Sequence, residues 1–181
     1  MIEVEKSFDV TKQQTEKIIG NSEFLGEVIN HDIYYDYPDL RLAKSKIKLR
    51  FRNNEPELKI AISSDVDREI ETEDEITKYL GVEGGLVSFV KDNMIELTNY
   101  KNTRRKYRKG EINIDIDSMD FGLESCDMEV MVENEKEIPA ALKKIEDLAA
   151  SFGLSAGKES MGKRQTYLKK FKPEIYKELY K

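Results

Sequence analysis

Short stretches of strict apolar–polar alternation dominate the chain. Ile2 and Val4 alternate with Glu3 and Glu5, Leu49 and Phe51 with Arg50 and Arg52, Ile114 and Ile116 with Asp115 and Asp117, and Met128 and Val130 with Asp127 and Glu129. A period of two is the signature of a strand with one apolar and one polar face. The pattern predicts strands over 1–8, 23–30, 32–37, 46–52, 57–62, 66–71, 94–100, 103–109, 111–118 and 127–133. Asn53-Asn54-Glu55-Pro56 predicts a turn and Lys109-Gly110-Glu111 a tight hairpin. Helical spacing is rarer. Thr11 with Gln14, and Thr72 with Glu75, have the spacing of capping boxes that open helices ending near Gly20 and Gly81. A third helix is predicted over 85–91. The clearest covers 138–152, with Pro139 in its first turn and Leu142, Ile145, Leu148, Ala149 and Phe152 along one stripe. Two more are predicted over 163–170 and 173–180. The fold class is therefore α+β, mainly antiparallel β: many strands joined by short turns, with helices inserted, predict a barrel or a strongly curved sheet. Barrels of about eight strands can hold a ligand, because every second residue points inward.

The 181 residues contain no linker, repeat or low-complexity tract, which predicts a single domain over 1–181. Hydrophobic residues make up 39% and charged residues 36%, with 30 Lys+Arg against 36 Asp+Glu and a net charge of −6. That balance argues against a broad face for nucleic acid or an anionic membrane. Cys126 is the single cysteine and His31 the single histidine, so an intramolecular disulfide, a cysteine zinc site and a multi-histidine metal site are excluded. His31 reads as a strand-end residue without a catalytic role, and Cys126 as a small buried one. No apolar run approaches membrane-spanning length and no signal-peptide core is present, so the expectation is a cytoplasmic monomer.

Position changes the meaning of the charges. Residues i and i+2 on a strand share a face, so four strands each carry a same-sign pair: Glu3/Glu5, Arg50/Arg52, Asp115/Asp117 and Asp127/Glu129. One such strand is an ordinary solvated face; four suggest that a counter-charge or a metal lies between them. The acidic pairs are expected to converge on a hard divalent cation, which favours carboxylate oxygens and bridges to phosphates. Arg50, Arg52, Lys59, Arg104 and Lys163 are expected to form an opposing basic wall, the arginine fork being suited to phosphate.

These residues, in this order, resemble the CYTH or triphosphate tunnel metalloenzyme family. The likeness runs through Ile2-Glu3-Val4-Glu5, Asp32-Ile33-Tyr34-Tyr35-Asp36, Leu49-Arg50-Phe51-Arg52, Glu57-Leu58-Lys59, Arg104-Arg105-Lys106-Tyr107, Ile114-Asp115-Ile116-Asp117, Asp127-Met128-Glu129 and Lys163. Tyr37-Pro38-Asp39-Leu40, Asp117-Ser118-Met119-Asp120-Phe121-Gly122 and the tail from Tyr167 to Pro173 look closest to its thiamine-triphosphatase branch. The resemblance implies an eight-stranded closed barrel, a Mg²⁺ (or Mn²⁺) requirement, and hydrolysis of the terminal phosphate of thiamine triphosphate or inorganic tripolyphosphate. It places Glu3, Glu5, Asp115, Asp127 and Glu129 at the metals and Arg50, Arg52, Lys59, Arg104 and Lys163 on phosphate. Glu5, Arg52, Lys59 and Glu129 carry the chemistry, and Glu69 matches a further acidic position. Two residues depart from the family pattern. Ser7 stands where its signature has a lysine, with Lys6 adjacent but of opposite parity, and Lys48 stands where vertebrate members have a ring-stacking aromatic. Adenylyl cyclisation and non-catalytic polyphosphate binding are the alternative readings of the same tunnel.

Overall fold

The computed structural model describes residues 2–63, 65–154 and 161–181. Eight antiparallel strands form a closed barrel: β1 (Ile2–Phe8), β2 (Glu23–Asp36), β3 (Ile47–Arg52), β4 (Glu55–Ser63), β5 (Val66–Ile70), β6 (Ile95–Lys109), β7 (Ile112–Met119) and β8 (Glu124–Val132). Their order around the ring is β1-β5-β4-β3-β2-β6-β7-β8, and β1 closes it on β8. The helices are α1 (Lys12–Gly20), α2 (Arg41–Lys44), α3 (Glu73–Leu80), α4 (Leu86–Asn93), α5 (Ile138–Ser151), α6 (Lys163–Phe171) and α7 (Pro173–Tyr180). None of the described helices is long and apolar enough to cross a membrane.

The ten predicted strand segments become eight strands, because two pairs fuse. The segments at 23–30 and 32–37 are one strand, β2, and those at 94–100 and 103–109 are one strand, β6; the two pair along nearly their whole length. His31 reads as a break in the sequence, but its backbone stays in the ladder opposite Lys101, as does that of Asn30 opposite Asn102. Where β3 has ended, the Asn53 side chain substitutes for a neighbouring strand, its Oδ1 accepting from the His31 N–H at 2.8 Å. The predicted hairpin at Lys109-Gly110-Glu111 holds, and the turn predicted over 53–56 is shortened to Asn53-Asn54, Glu55 and Pro56 already belonging to β4. Asn53 and Asn54 take positive φ (51° and 73°) in the β3–β4 turn, and Gly110 (62°) opens the two-residue β6–β7 turn. The first residue of the strand predicted over 1–8 lies outside the described residues.

The barrel wears its apolar face outward. Ile2, Val4, Ile114, Ile116, Met128 and Val130 point away from the bore and pack with Ile145, Ala149 and Phe152 of the α5 region. Leu49 and Leu58 pack with Ile76, Leu86 and Val90 of α3 and α4. The third cluster is the exception: Tyr34, Tyr100 and Met119 have the parity of the bore-facing Asp32, Arg104 and Asp117, and pack with Leu168 of α6. Most of the hydrophobic core therefore lies between the strands and the helices around them, and strand parity sends the charged residues into the bore.

α2, which sequence periodicity does not predict, is a single turn held by one carboxylate. Asp36 Oδ1 accepts from the Leu42 N–H (3.0 Å) and Oδ2 from the Ala43 N–H (2.9 Å), satisfying otherwise unpaired amides. The turn matters because it leads straight into β3, which carries three bore-facing cations.

Candidate active site

The bore is a cavity of about 660 Å³. Its lining includes Glu3, Glu5 and Ser7 of β1, Lys48, Arg50 and Arg52 of β3, Lys59 of β4, Glu69 of β5, Arg104 of β6, Asp127 and Glu129 of β8, and Lys163 of α6. Parity is obeyed throughout: each of these residues alternates with an outward-facing neighbour on its own strand, Lys163 at the start of α6 excepted.

Glu3, Glu5 and Glu129 converge, with one oxygen from each lying within 4.8 Å of the others. The register explains this, because Glu5 pairs directly with Glu129 across β1–β8 and Glu3 sits two residues along the same face. Lys59 reaches this cluster from two strands away, across β5, its Nζ 2.5 Å from Glu3 Oε2 and 2.6 Å from Glu69 Oε1. One ammonium thus serves several carboxylates. Burial, with Glu5 beside it, pushes the Glu3 carboxyl up to about 9 despite that contact. Glu5 is held below the usual carboxylate range: burial opposes this, but Lys59, Lys163 and Arg104 outweigh it.

Asp115 and Asp127, also expected at the metal, are turned to cations instead. Asp115 Oδ2 lies 2.5 Å from Arg104 Nη1, while its Oδ1 is buried without a hydrogen-bond partner. Burial pushes its carboxyl up to about 6, with Arg104 opposing and Glu129 and Asp117 reinforcing the rise. Asp127 Oδ1 accepts from the Ser7 hydroxyl at 2.7 Å, and its Oδ2 contacts Lys163. Asp117 takes the Arg104 fork in two bonds of 2.8 Å and contacts Lys163 as well; those bonds and charges hold it well below the usual carboxylate range against the effect of burial.

The expected basic wall is consequently interleaved with acids. Arg52 forks onto Asp32 (2.7 and 2.8 Å), Arg50 reaches Glu57 (2.7 Å), and Lys48 reaches Asp67 (2.7 Å). The cause is register: Arg52 stands opposite Asp32, Arg50 opposite Glu57, Lys59 opposite Glu69 and Arg104 opposite Asp117, and directly opposed residues share a face. Each carboxylate fixes its arginine while leaving further N–H donors for a ligand. Asp32, Glu57 and Tyr34 are among the bore residues that sequence reasoning missed as site members. Tyr34 accepts from Arg50 Nη1 at 3.2 Å, and its hydroxyl is held below its ordinary range by Arg50, against the effect of burial.

The two departures now have a geometry. β1 pairs with β8 residue for residue from Ile2 to Phe8, so no bulge turns Lys6 inward. Lys6 instead bonds Glu146 of α5 outside the barrel (2.8 Å). Ser7 occupies the bore position, and Lys48 faces the bore at the start of β3. His31 bonds Asn99 (2.7 Å), and Cys126 is buried with its thiol pushed well up by burial, so neither is placed for catalysis.

An eight-stranded bore lined by interleaved acids and bases, with a three-carboxylate cluster, defines the class of the protein. The CYTH domain model matches residues 1–160, and the chain belongs to that family. It is 29% identical over 207 aligned residues to the thiamine-triphosphatase of Macaca fascicularis, covering 99% of this chain and 89% of that protein. The human thiamine-triphosphatase is 28% identical with the same coverage. Among solved structures, the PH1819 protein of Pyrococcus horikoshii superposes with a TM-score of 0.66 at 24% identity, covering 84% of this chain and 91% of its own. HpAC1 of Hippeastrum, a protein with a dominant triphosphatase activity, superposes with a TM-score of 0.53 at 17% identity, covering 87% and 92%.

Proposed function

We propose that the chain is a divalent-metal-dependent triphosphatase that hydrolyses the terminal phosphate of thiamine triphosphate or inorganic tripolyphosphate within the bore. The observation that carries this reading is the convergence of Glu3, Glu5 and Glu129 opposite Lys59. The bore lining holds ten carboxylates against eight cations. A triphosphate adds about four negative charges, so it enters a lining of that balance favourably only together with divalent cations. The donor set fits such an ion: oxygen-only ligands, clustered within reach of one another, with an unpartnered buried oxygen on Asp115. Glu3, Glu5 and Glu129 would hold Mg²⁺ or Mn²⁺, with Asp115 and Asp127 beside them. Bound there, the ion supplies charge neutralisation on phosphate oxygens and acidification of water.

The chain's own cations do the rest. Arg50, Arg52, Lys59, Arg104 and Lys163 bind the phosphate oxygens and align the chain for in-line displacement, in which water bonds to the terminal phosphorus as the bond to the leaving oxygen breaks. Charge accumulating on the leaving oxygen is met by groups already fixed by Asp32, Glu57 and Asp117, so little reorganisation is needed. The thiamine-triphosphatases at 28–29% identity, which cover nearly the whole chain, support this reaction over others of the same fold.

The test is a phosphate-release panel over tripolyphosphate, thiamine triphosphate and ATP, with Mg²⁺ or Mn²⁺, scoring cyclic AMP alongside. Phosphate from at least one of the first two is expected. Cyclic AMP as the main product would replace hydrolysis with cyclisation, and tight binding without turnover would make the chain a polyphosphate-binding protein.

A further inference from the structure

The cavity exceeds what the proposed triphosphate fills. At about 30 Å³ per heavy atom, the share water takes in the liquid, an inorganic tripolyphosphate needs about 390 Å³, against about 660 Å³ of cavity. Room remains for an organic group carried by the phosphate chain. Ion-paired side chains hold phosphate well but offer little to a ring, which gains most from an accessible aromatic face.

Three tyrosines line the cavity. Tyr34 and Tyr100 are only 9% and 2% exposed. Tyr34 is engaged by Arg50, and Tyr100 is boxed by Phe121 (5.3 Å) and Tyr167 (5.8 Å). Tyr180, in the last turn of α7, is 38% exposed. It stands outside the apolar cluster that takes Ile175, Tyr176 and Leu179 of the same helix. Its ring is backed by Tyr176 at 5.4 Å and 37°, which restrains its orientation. Glu178 pairs with Lys44 of α2 at 2.6 Å, fastening this end of α7 beside the segment that leads into β3 and its phosphate-facing arginines. Lys48, at that end of β3, is tied to Asp67 and presents no ring.

We propose that Tyr180 is the stacking platform for the ring of an organic triphosphate, and that the chain prefers triphosphate esters of ring-bearing alcohols to bare tripolyphosphate. This rests on the reading of the bore as a triphosphate site. The aromatic face is thus supplied from the C-terminal helix, whereas β3 presents Lys48 at its own start.

The experiment is calorimetric binding, with Mg²⁺, of uncleavable methylene-bridged analogues of thiamine triphosphate, ATP and tripolyphosphate to the full chain, to Tyr180→Ala and to Tyr180→Phe. Tyr180→Ala is expected to weaken at least one ring-bearing analogue about tenfold, in line with the loss of one aromatic stack, and to change the bare chain less than twofold. Tyr180→Phe is expected to match the wild type. Which analogue loses affinity identifies the ring. Equal weakening of all three, or of none, overturns the proposal, as does wild-type binding of the bare chain alone; those results leave the triphosphate reading standing. Failure of the wild type to bind any of the three overturns both.

Discussion

Several bore residues have two duties that substitution can separate. Arg52 is proposed to hold phosphate, and it also neutralises Asp32, whose side chain is 1% exposed. Arg52→Ala should raise KM, lower kcat, and cost about 3 kcal/mol of stability, because it leaves a buried carboxylate with only the more distant Arg50, at 4.0 Å. Adding Asp32→Asn should recover much of that stability, read by urea denaturation, without restoring turnover. Glu129→Gln changes no volume and leaves the outward-facing Met128 and Val130 in place, so it should abolish metal-dependent phosphate release with the melting curve nearly unchanged. Ser7 bonds Asp127 where a lysine would reach the bore. Ser7→Lys should increase kcat/KM for tripolyphosphate if a phosphate contact is limiting; an unchanged value would show that Lys163, already on Asp127, fills that role.

At the level of elements, parity was the legible part. Glu3/Glu5, Arg50/Arg52 and Asp127/Glu129 line the bore as alternation predicts, Asp115 and Asp117 share that face against Arg104, and the apolar partners of each strand form the outer core. Glu57 escaped notice because it shares a face with Lys59, and a mixed-sign pair at i and i+2 looks like any solvated strand. Asp32 was hidden in a tyrosine-rich segment, where it shares the inward face with Tyr34. The interleaving of acids with bases was illegible for a different reason, since it depends on cross-strand register, which single-strand periodicity does not encode. The outward path of Lys6 was left open by the sequence and is settled by the unbroken β1–β8 ladder. The Lys6–Glu146 bridge joins β1 to α5 on the partly exposed exterior, with side chains 19% and 43% exposed. Lys6→Ala should therefore cost no more than about 1 kcal/mol and leave triphosphate turnover at the wild-type level.

At the scale of the whole molecule, the barrel inverts the usual arrangement, keeping most of its dry core outside and its charges inside. Concentrating carboxylates this way makes metal binding depend on pH. Glu3, raised from 4.5 to about 9 by burial and the neighbouring Glu5, holds a proton in the folded chain that it would lose when unfolded. Its contribution to stability is fully present below about pH 4.5 and fades as pH rises through about 9. A cation bound by Glu3 must displace that proton, so Mg²⁺ affinity should climb between pH 6 and 9 with proton release approaching one per site, read by calorimetry in buffers of different ionisation enthalpy. Asp115, raised to about 6, should add a smaller release at the acidic end of that range.

The central claim is that the carboxylate cluster and the bore's cations act together on a metal–triphosphate. Calorimetric titration of methylene-bridged tripolyphosphate into the protein, with and without Mg²⁺, tests it most directly. The account predicts at least tenfold tighter binding with Mg²⁺, a gain that disappears in Glu5→Gln. Affinity indifferent to Mg²⁺, or a Mg²⁺ gain that survives in Glu5→Gln, would contradict it.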